Sequence, residues 1–204
     1  MDPVTHYMAG YFLGRRKGAS KEQLMLLTLA STLPDLDAVF ILGGVDAFSS
    51  FHRGFTHSII GSLIIIVALT ALYMYLTKGK SWTRVGYWVS LGVGSHLVLD
   101  MFTLDRSFFQ ILRFHDLPPT MDHYKGVSLL WPLSDAKFSL VSMNFIGQVM
   151  ANVLVVVLFI LAVAYAIRRI RQNDRPWEIW TDPIKNYIRK KREGEGGGNG
   201  EDDE

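Results

Sequence analysis

The sequence predicts an all-α fold, a polytopic membrane helical bundle of about four membrane segments, the first broken at Pro34, preceded by a short N-terminal helix. Three observations carry this. Apolar residues make up 49% of the chain and arrive in long uncharged runs. The clearest, "SIIGSLIIIVALTALYMYLT" from Ser58 to Thr77, has no charge in twenty residues, about the length that crosses a bilayer as a helix. Lysines and arginines fall in blocks between the runs, which is the pattern that fixes membrane orientation.

At the N-terminus, Asp2 is placed to cap a first helix, Pro3 suits its first position, and the helix stops near Gly14. "MDPVTHYMAG" lacks a basic n-region and continuous apolar core, so it is expected to remain in the mature protein. Ser20 and Gln23 form a capping box for a helix through "LMLLTLASTL". Pro34 lacks an amide hydrogen and disfavours helix at Leu33, so irregular backbone is expected at "LPDLD" before the segment resumes as "AVFILGG". Such backbone persists at membrane depth only where protein or a water-filled cavity satisfies it, so "LPDLD" should line an internal polar site. Further spans are expected at Ser58–Thr77, roughly Val85–Phe102 and Met143–Ile167. The chain divides into a membrane-embedded domain over residues 1–167, a cytoplasmic basic amphipathic segment over 168–193 and a disordered acidic tail over 194–204.

Sixteen of the twenty-one lysines and arginines lie in three blocks, before the broken helix, between the second and third segments, and after Ile167. Arg53, Arg106, Arg113, Lys125 and Lys137 occupy the opposite connections. The positive-inside rule then gives a multi-pass protein of the inner or plasma membrane, with its C-terminus cytoplasmic and "FHRGFTHS" facing outward.

Chemistry concentrates on a few histidines and aspartates. "SHLVLD" sets His96 and Asp100 four residues apart, on one helix face, a spacing that suits joint metal ligation. A charge at a helix centre costs about 2.5–3.5 kcal/mol on insertion scales, so Asp35, Asp37 and Asp100 together approach ~10 kcal/mol unless compensated. Arg53 and Arg106 are nearby cations, and His6, His52, His57 and His96 are nearby ring donors; the excess of histidines favours a metal. Without any cysteine, that metal must bind through nitrogen and oxygen.

"MDPVTH", "LPDLD", "HRGFTHS", "HLVLD" and "LLWP", in that order over residues 1–132, resemble the membrane-bound, metal-dependent hydrolase family, predicted inner-membrane proteins of bacteria and archaea. A more distant similarity is to the helical zinc-dependent phospholipases C and single-strand-specific zinc nucleases. The resemblance implies metal ligation by His6, Asp35, His57, His96 and Asp100, with Asp100 bridging. It implies one or two ions rather than three, because His115 and His123 do not match the spacing of the soluble enzymes' further ligands. Zinc suits this donor set, with manganese or iron as alternatives, and would lower the pKa of a bound water toward ~7. Arg53 would hold a phosphate oxygen, with His52 or Asp37 as proton carrier or orienter.

The resulting expectation is a metal-dependent hydrolase of a lipid or other membrane-borne phosphoester. Membrane lipids are its expected partners, and nucleic acid is not. The alternative is a non-catalytic membrane protein with a structural metal site or an ion or proton pathway. Single residues have plainer readings too: His57 as a helix cap, Arg53 snorkelling to headgroups, and His96 with Asp100 as a hydrogen-bonded helix stitch. His6 poses a topological question, since its helix runs into "RRK". Only a re-entrant or partly spanning first helix, about 18 Å over ~12 residues, would bring it to an outward-facing site.

Overall fold

Ser20 sets the start of the helix around which the others assemble. Its hydroxyl accepts from Gln23 N at 3.3 Å while Ser20 N donates to Gln23 Oε1 at 2.9 Å, so the capping box expected from the sequence is formed. The computed structural model describes residues 3–43, 54–77, 81–102, 126–134, 136–140 and 145–182, with Lys185 and Arg189. Five α-helices occur among these: α1 (Pro3–Arg16), α2 (Lys21–Thr32), α3 (Ile59–Thr77), α4 (Trp82–Met101) and α5 (Phe145–Arg171). A 3-10 helix, Leu33–Gly43, extends α2, and a 3-10 turn, Phe55–His57, precedes α3. The β structure among the described residues is one isolated bridge between Val127 and Phe138. Pro3 is the first residue of α1, as expected, whereas its proposed cap Asp2 lies outside the described residues.

α2 packs on α1 and on α4, and six of its twelve residues are buried, among them Leu24, Leu27 and Ala30. Its polar positions are satisfied within the turn: Thr28 Oγ1 donates to Leu24 O at 2.8 Å and Ser31 Oγ to Thr28 O at 2.9 Å. The α2–α4 crossing is close because position 92 is glycine. A Cβ there would lie 2.7 Å from both Leu27 O and Ala30 Cβ. Small residues of this kind let membrane helices bring their backbones together.

Pro34 ends α2 as expected, but the chain does not unwind. Leu33–Gly43 continues as 3-10 helix, whose first turn tolerates the missing proline N–H. The three-residue periodicity of this helix decides where Asp35 and Asp37 point.

Two helices are long and apolar enough to cross a membrane, α3 (Ile59–Thr77) and the Val153–Arg171 portion of α5. Only 17% and 6% of these stretches is buried. Leu63, Ile64 and Val67 on α3, and Val157, Ile160 and Leu161 on α5, are exposed, which suits contact with lipid. Among the described residues the other two expected segments do not meet that test. α2 stops after 12 residues, and α4 carries Arg84, His96 and Asp100 along its 20.

α5 runs past Ile167 to Arg171, and the chain then turns at Asn173, whose φ of 56° is in the left-handed region that asparagine tolerates. The described part of the expected cytoplasmic segment folds back on α1 and α2. Asp174 pairs with both Arg15 and Arg169, and accepts from Tyr11 Oη at 2.7 Å. Tyr7 Oη donates to Pro176 O at 2.8 Å, and Ile179 is buried against Met8, Tyr11 and Leu24. Lys21 Nζ, 2.8 Å from Asp182, holds that carboxyl below its usual range. The acidic tail lies outside the described residues.

The α2–α4 crossing supplies a direct test. Gly92→Leu would overpack it at a cost of about 1–3 kcal/mol, and a chain of this size loses about 2–4 °C per kcal/mol. We expect a clear fall in Tm for the detergent-solubilised protein, measured by intrinsic fluorescence. Gly94→Leu should leave Tm in place, because a Cβ at Gly94 meets nothing within 4 Å.

Candidate metal centre

Four separate elements deliver side chains to one point. α1 brings His6, the 3-10 helix brings Asp35, the turn before α3 brings His57, and the last two turns of α4 bring His96 and Asp100. The three histidines are wholly buried, Asp100 is 1% exposed and Asp35 is 8% exposed. His6 Nε2 lies 3.2 Å from Asp100 Oδ1 and 3.8 Å from Asp35 Oδ2. His57 Nε2 lies 3.1 Å from Asp100 Oδ2, 3.8 Å from Asp35 Oδ1 and 3.0 Å from His96 Nε2. His96 Nε2 is 3.6 Å from Asp35 Oδ1 and 3.5 Å from Asp100 Oδ2. The His6 and His96 rings stack with centroids 3.8 Å apart.

The hydrogen bonds behind the cluster fix which nitrogen faces inward. Ser31 O lies 2.8 Å from His96 Nδ1, and a carbonyl only accepts, so Nδ1 carries the proton and Nε2 turns its lone pair into the cluster. His57 Nδ1 lies 3.2 Å from Asp37 Oδ2, the arrangement in which a carboxylate orients a metal-binding histidine. Thr56 Oγ1 donates to the same Asp37 oxygen at 2.6 Å. His96 Nε2 thus turns its lone pair toward His57 Nε2 at 3.0 Å, beside oxygens of Asp35 and Asp100, so that several potential ligand atoms meet at one buried point.

The donor set fits a divalent metal. Ligand atoms of His6, Asp35, His96 and Asp100 all lie within 4.8 Å of one another. The separations of 3.0–3.8 Å bracket the edge of a tetrahedron, about 3.3 Å, when ligands stand about 2.0–2.1 Å from the ion. Asp35 Oδ2 and His6 Nδ1 are buried without a hydrogen-bond partner among the described residues. This is a buried His/Asp group that could hold a metal ion.

All five residues that the resemblance implies as ligands are therefore brought together, His57 at the edge of the compact group of four. Asp37 stands behind His57 rather than in the cluster. Arg53 and His52, expected to bind phosphate and carry protons, lie outside the described residues, as do His115 and His123. The helix-cap reading of His57 is replaced, since Ser58 Oγ accepts from Gly61 N at 3.0 Å. Gly61 is required there, because a Cβ would stand 1.8 Å from Phe55 O. Trp131 of "LLWP" packs edge-to-face on Phe55 at 5.7 Å, and Leu129 O accepts from Ile59 N at 2.9 Å, so that motif braces the His57 turn.

Two further residues shape the site without a signature in the sequence. Ser31 supplies the carbonyl for His96, and its hydroxyl donates to His6 O at 3.1 Å, tying two ligand helices together. A backbone carbonyl leaves no signature in residue type. Thr56 stands directly before His57, where its hydroxyl reads equally well as part of a helix start.

Helices that expose apolar faces around a buried His/Asp cluster define an all-helical membrane protein with a candidate metal centre. The chain belongs to the YdjM inner membrane protein family, which it matches over residues 1–181, and its location is accordingly the inner membrane. It is 32% identical over 144 residues to the inner membrane protein YbcI of Escherichia coli (strain K12), covering 66% of this chain and 69% of YbcI. It is 31% identical over 112 residues to the uncharacterized protein YfhP of Bacillus subtilis (strain 168), covering 50% of this chain but only 34% of YfhP. No solved structure matches the chain.

The geometry separates two kinds of variant. His96→Ala and Asp100→Ala should abolish metal content, measured by elemental analysis of purified protein. Asp37→Asn should still bind metal, with affinity lowered about 10–100-fold in a chelator competition. Equal losses in all three would place Asp37 among the ligands instead.

Proposed function

We propose that this protein is a membrane-bound metal-dependent hydrolase that cleaves a phosphoester of a lipid or other membrane-borne substrate. The observation that supports this best is the convergence of three imidazole Nε2 atoms on the carboxylates of Asp35 and Asp100, with the His96 tautomer set by Ser31 O. Zinc is the metal that suits nitrogen and oxygen donors in this spacing, with manganese or iron as alternatives. A bound divalent ion supplies Lewis acidity and an activated water at neutral pH.

The chain's own residues would divide the remaining work. Asp100 presents Oδ1 to His6 and Oδ2 to His57 and His96, an orientation suited to bridging two ions. Asp37, held by Thr56, keeps the His57 ring in place. Arg53, four residues before His57, would hold a phosphate oxygen through its planar guanidinium. His52 would serve as the proton carrier.

We further propose that α2 with its 3-10 extension and α4 join α3 and α5 as membrane segments, with the cluster toward the outer face. α1 would then traverse the bundle beside them. Its start lies level with Asp100 through His6, while Lys17 reaches the Tyr87 ring near the start of α4 at 6.0 Å. A second reading, a structural metal site, draws support from the complete burial of the three histidines. Turnover separates the two.

Purified protein loaded with zinc should hydrolyse phosphodiester or phospholipid substrates. Asp100→Ala should lose both metal and activity, whereas Arg53→Ala should retain metal and lose on the order of 10²-fold in kcat/KM. Retained turnover in Asp100→Ala, or none in the metal-loaded wild type against a broad panel, would sink the hydrolase reading. Because the chain contains no cysteine, single cysteines at the exposed positions Ala136 and Ser81 can be labelled without background. The proposed orientation places the first outside the cytoplasm and the second within it.

A further inference from the structure

α1 makes two sets of contacts on different faces. His6 and Gly10 lie against α2: Ser31 Oγ donates to His6 O at 3.1 Å, and a Cβ at Gly10 would stand 2.6 Å from that same Oγ. Tyr7, Tyr11 and Arg15, spaced four residues apart and so on one helix face, meet the segment after α5 instead. Tyr7 Oη donates to Pro176 O at 2.8 Å, Tyr11 Oη donates to Asp174 Oδ1 at 2.7 Å, and Arg15 pairs with that carboxylate oxygen. Ile179 is buried against Met8 and Tyr11. Arg169 holds Asp174 to the end of α5, through its side chain and through its carbonyl, which accepts from Asp174 N at 2.9 Å. Residues 174–182 thus form a strap that clamps α1 against α2.

The clamp acts on a candidate ligand. Tyr7 adjoins His6, whose Nε2 stands 3.2 Å from Asp100 Oδ1. A metal–nitrogen bond of about 2.0–2.1 Å tolerates little displacement, so a shift of α1 by about 1 Å would take that nitrogen out of reach of an ion held by the other ligands. Arg15 follows His6 by nine residues, about 14 Å along a helix. The hydrogen-bonded backbone between them carries a displacement at the strap to the ring.

We propose that the strap sets the metal affinity of the His/Asp centre by fixing α1, with Asp174 and Tyr7 as the residues that position His6. Such a linkage is reciprocal: a strap that favours metal binding is itself held more firmly once metal is bound. In the orientation proposed above, the device couples the cytoplasmic face to metal occupancy toward the outer face, and a change that parts Asp174 from its arginines weakens the centre. The inference rests on the candidate metal centre and not on hydrolysis.

The test uses full-length protein in detergent, with zinc affinity read by chelator competition and hydrogen exchange read by mass spectrometry. Asp174→Asn should lower zinc affinity about 10–100-fold, the range for groups that hold a ligand in place. Tyr7→Phe, which removes the hydrogen bond to Pro176 O, should lower it about 2–10-fold. Leu69→Ala, in the core shared by α2, α3 and α4, should lower Tm and leave zinc affinity in place. In the wild type, zinc should slow exchange across residues 174–182 more than across α3. Unchanged affinity in either strap variant, an equal loss in Leu69→Ala, or exchange at the strap that zinc does not slow would overturn the proposal while leaving the metal centre standing. A wild type that binds no zinc would overturn both.

Discussion

Burying Asp35 and Asp100 beside three imidazoles is the constraint on which the arrangement of helices depends. A carboxylate taken out of water must meet compensating charge or hydrogen bonds close by. The chain meets this demand with groups from elements far apart in sequence: His6 lies 94 residues from Asp100 and 3.2 Å from it. Each element must then hold its side chain to within a few tenths of an ångström. The close α2–α4 approach at Gly92 and the Ser31 bridge to both His6 O and His96 Nδ1 serve that end. The cluster is a junction of the fold as well as a candidate metal centre.

α1 is the element least able to stay in place unaided. At 14 residues it is too short to be stable as an isolated helix. Beyond its packing on α2, it is fastened by the segment after α5, through Tyr7 to Pro176 O and through Tyr11 and Arg15 to Asp174. Asp174, between Arg15 and Arg169, links the end of α1 to the end of α5. The described part of the segment expected to be basic and amphipathic also contributes to the position of His6. Sequence could not reveal this, because the same tyrosines, tryptophans and basic residues suit a membrane interface or a docked strap. Only the identity of the opposing surface decides between them.

Legibility tracked the range of the interaction. The capping box, the stop at Pro34 and the apolar run into Thr77 are local and legible in the sequence. The five candidate ligands follow from motif order through the family resemblance, although their meeting depends on how α1 enters the bundle. The form of the backbone after Pro34 was not legible, since proline ends an α-helix without specifying the conformation beyond it. α4 is harder to read because His96 and Asp100, which it delivers to the cluster, together with Arg84 lower the apolar character by which a span is recognised.

The 3-10 continuation after Pro34 accounts for the distinct surroundings of two neighbouring aspartates. With three residues per turn, successive side chains are separated by about 120°, so residues two apart point in directions about 120° apart. Asp35 therefore enters the cluster, while Asp37 passes to the side and meets Thr56 and His57 Nδ1. An extended strand would have sent both carboxylates to the same side. They would then have competed for one place among the imidazoles, at a cost in like-charge repulsion. The short helical pitch makes one aspartate a candidate ligand and the other the group that orients a neighbouring histidine.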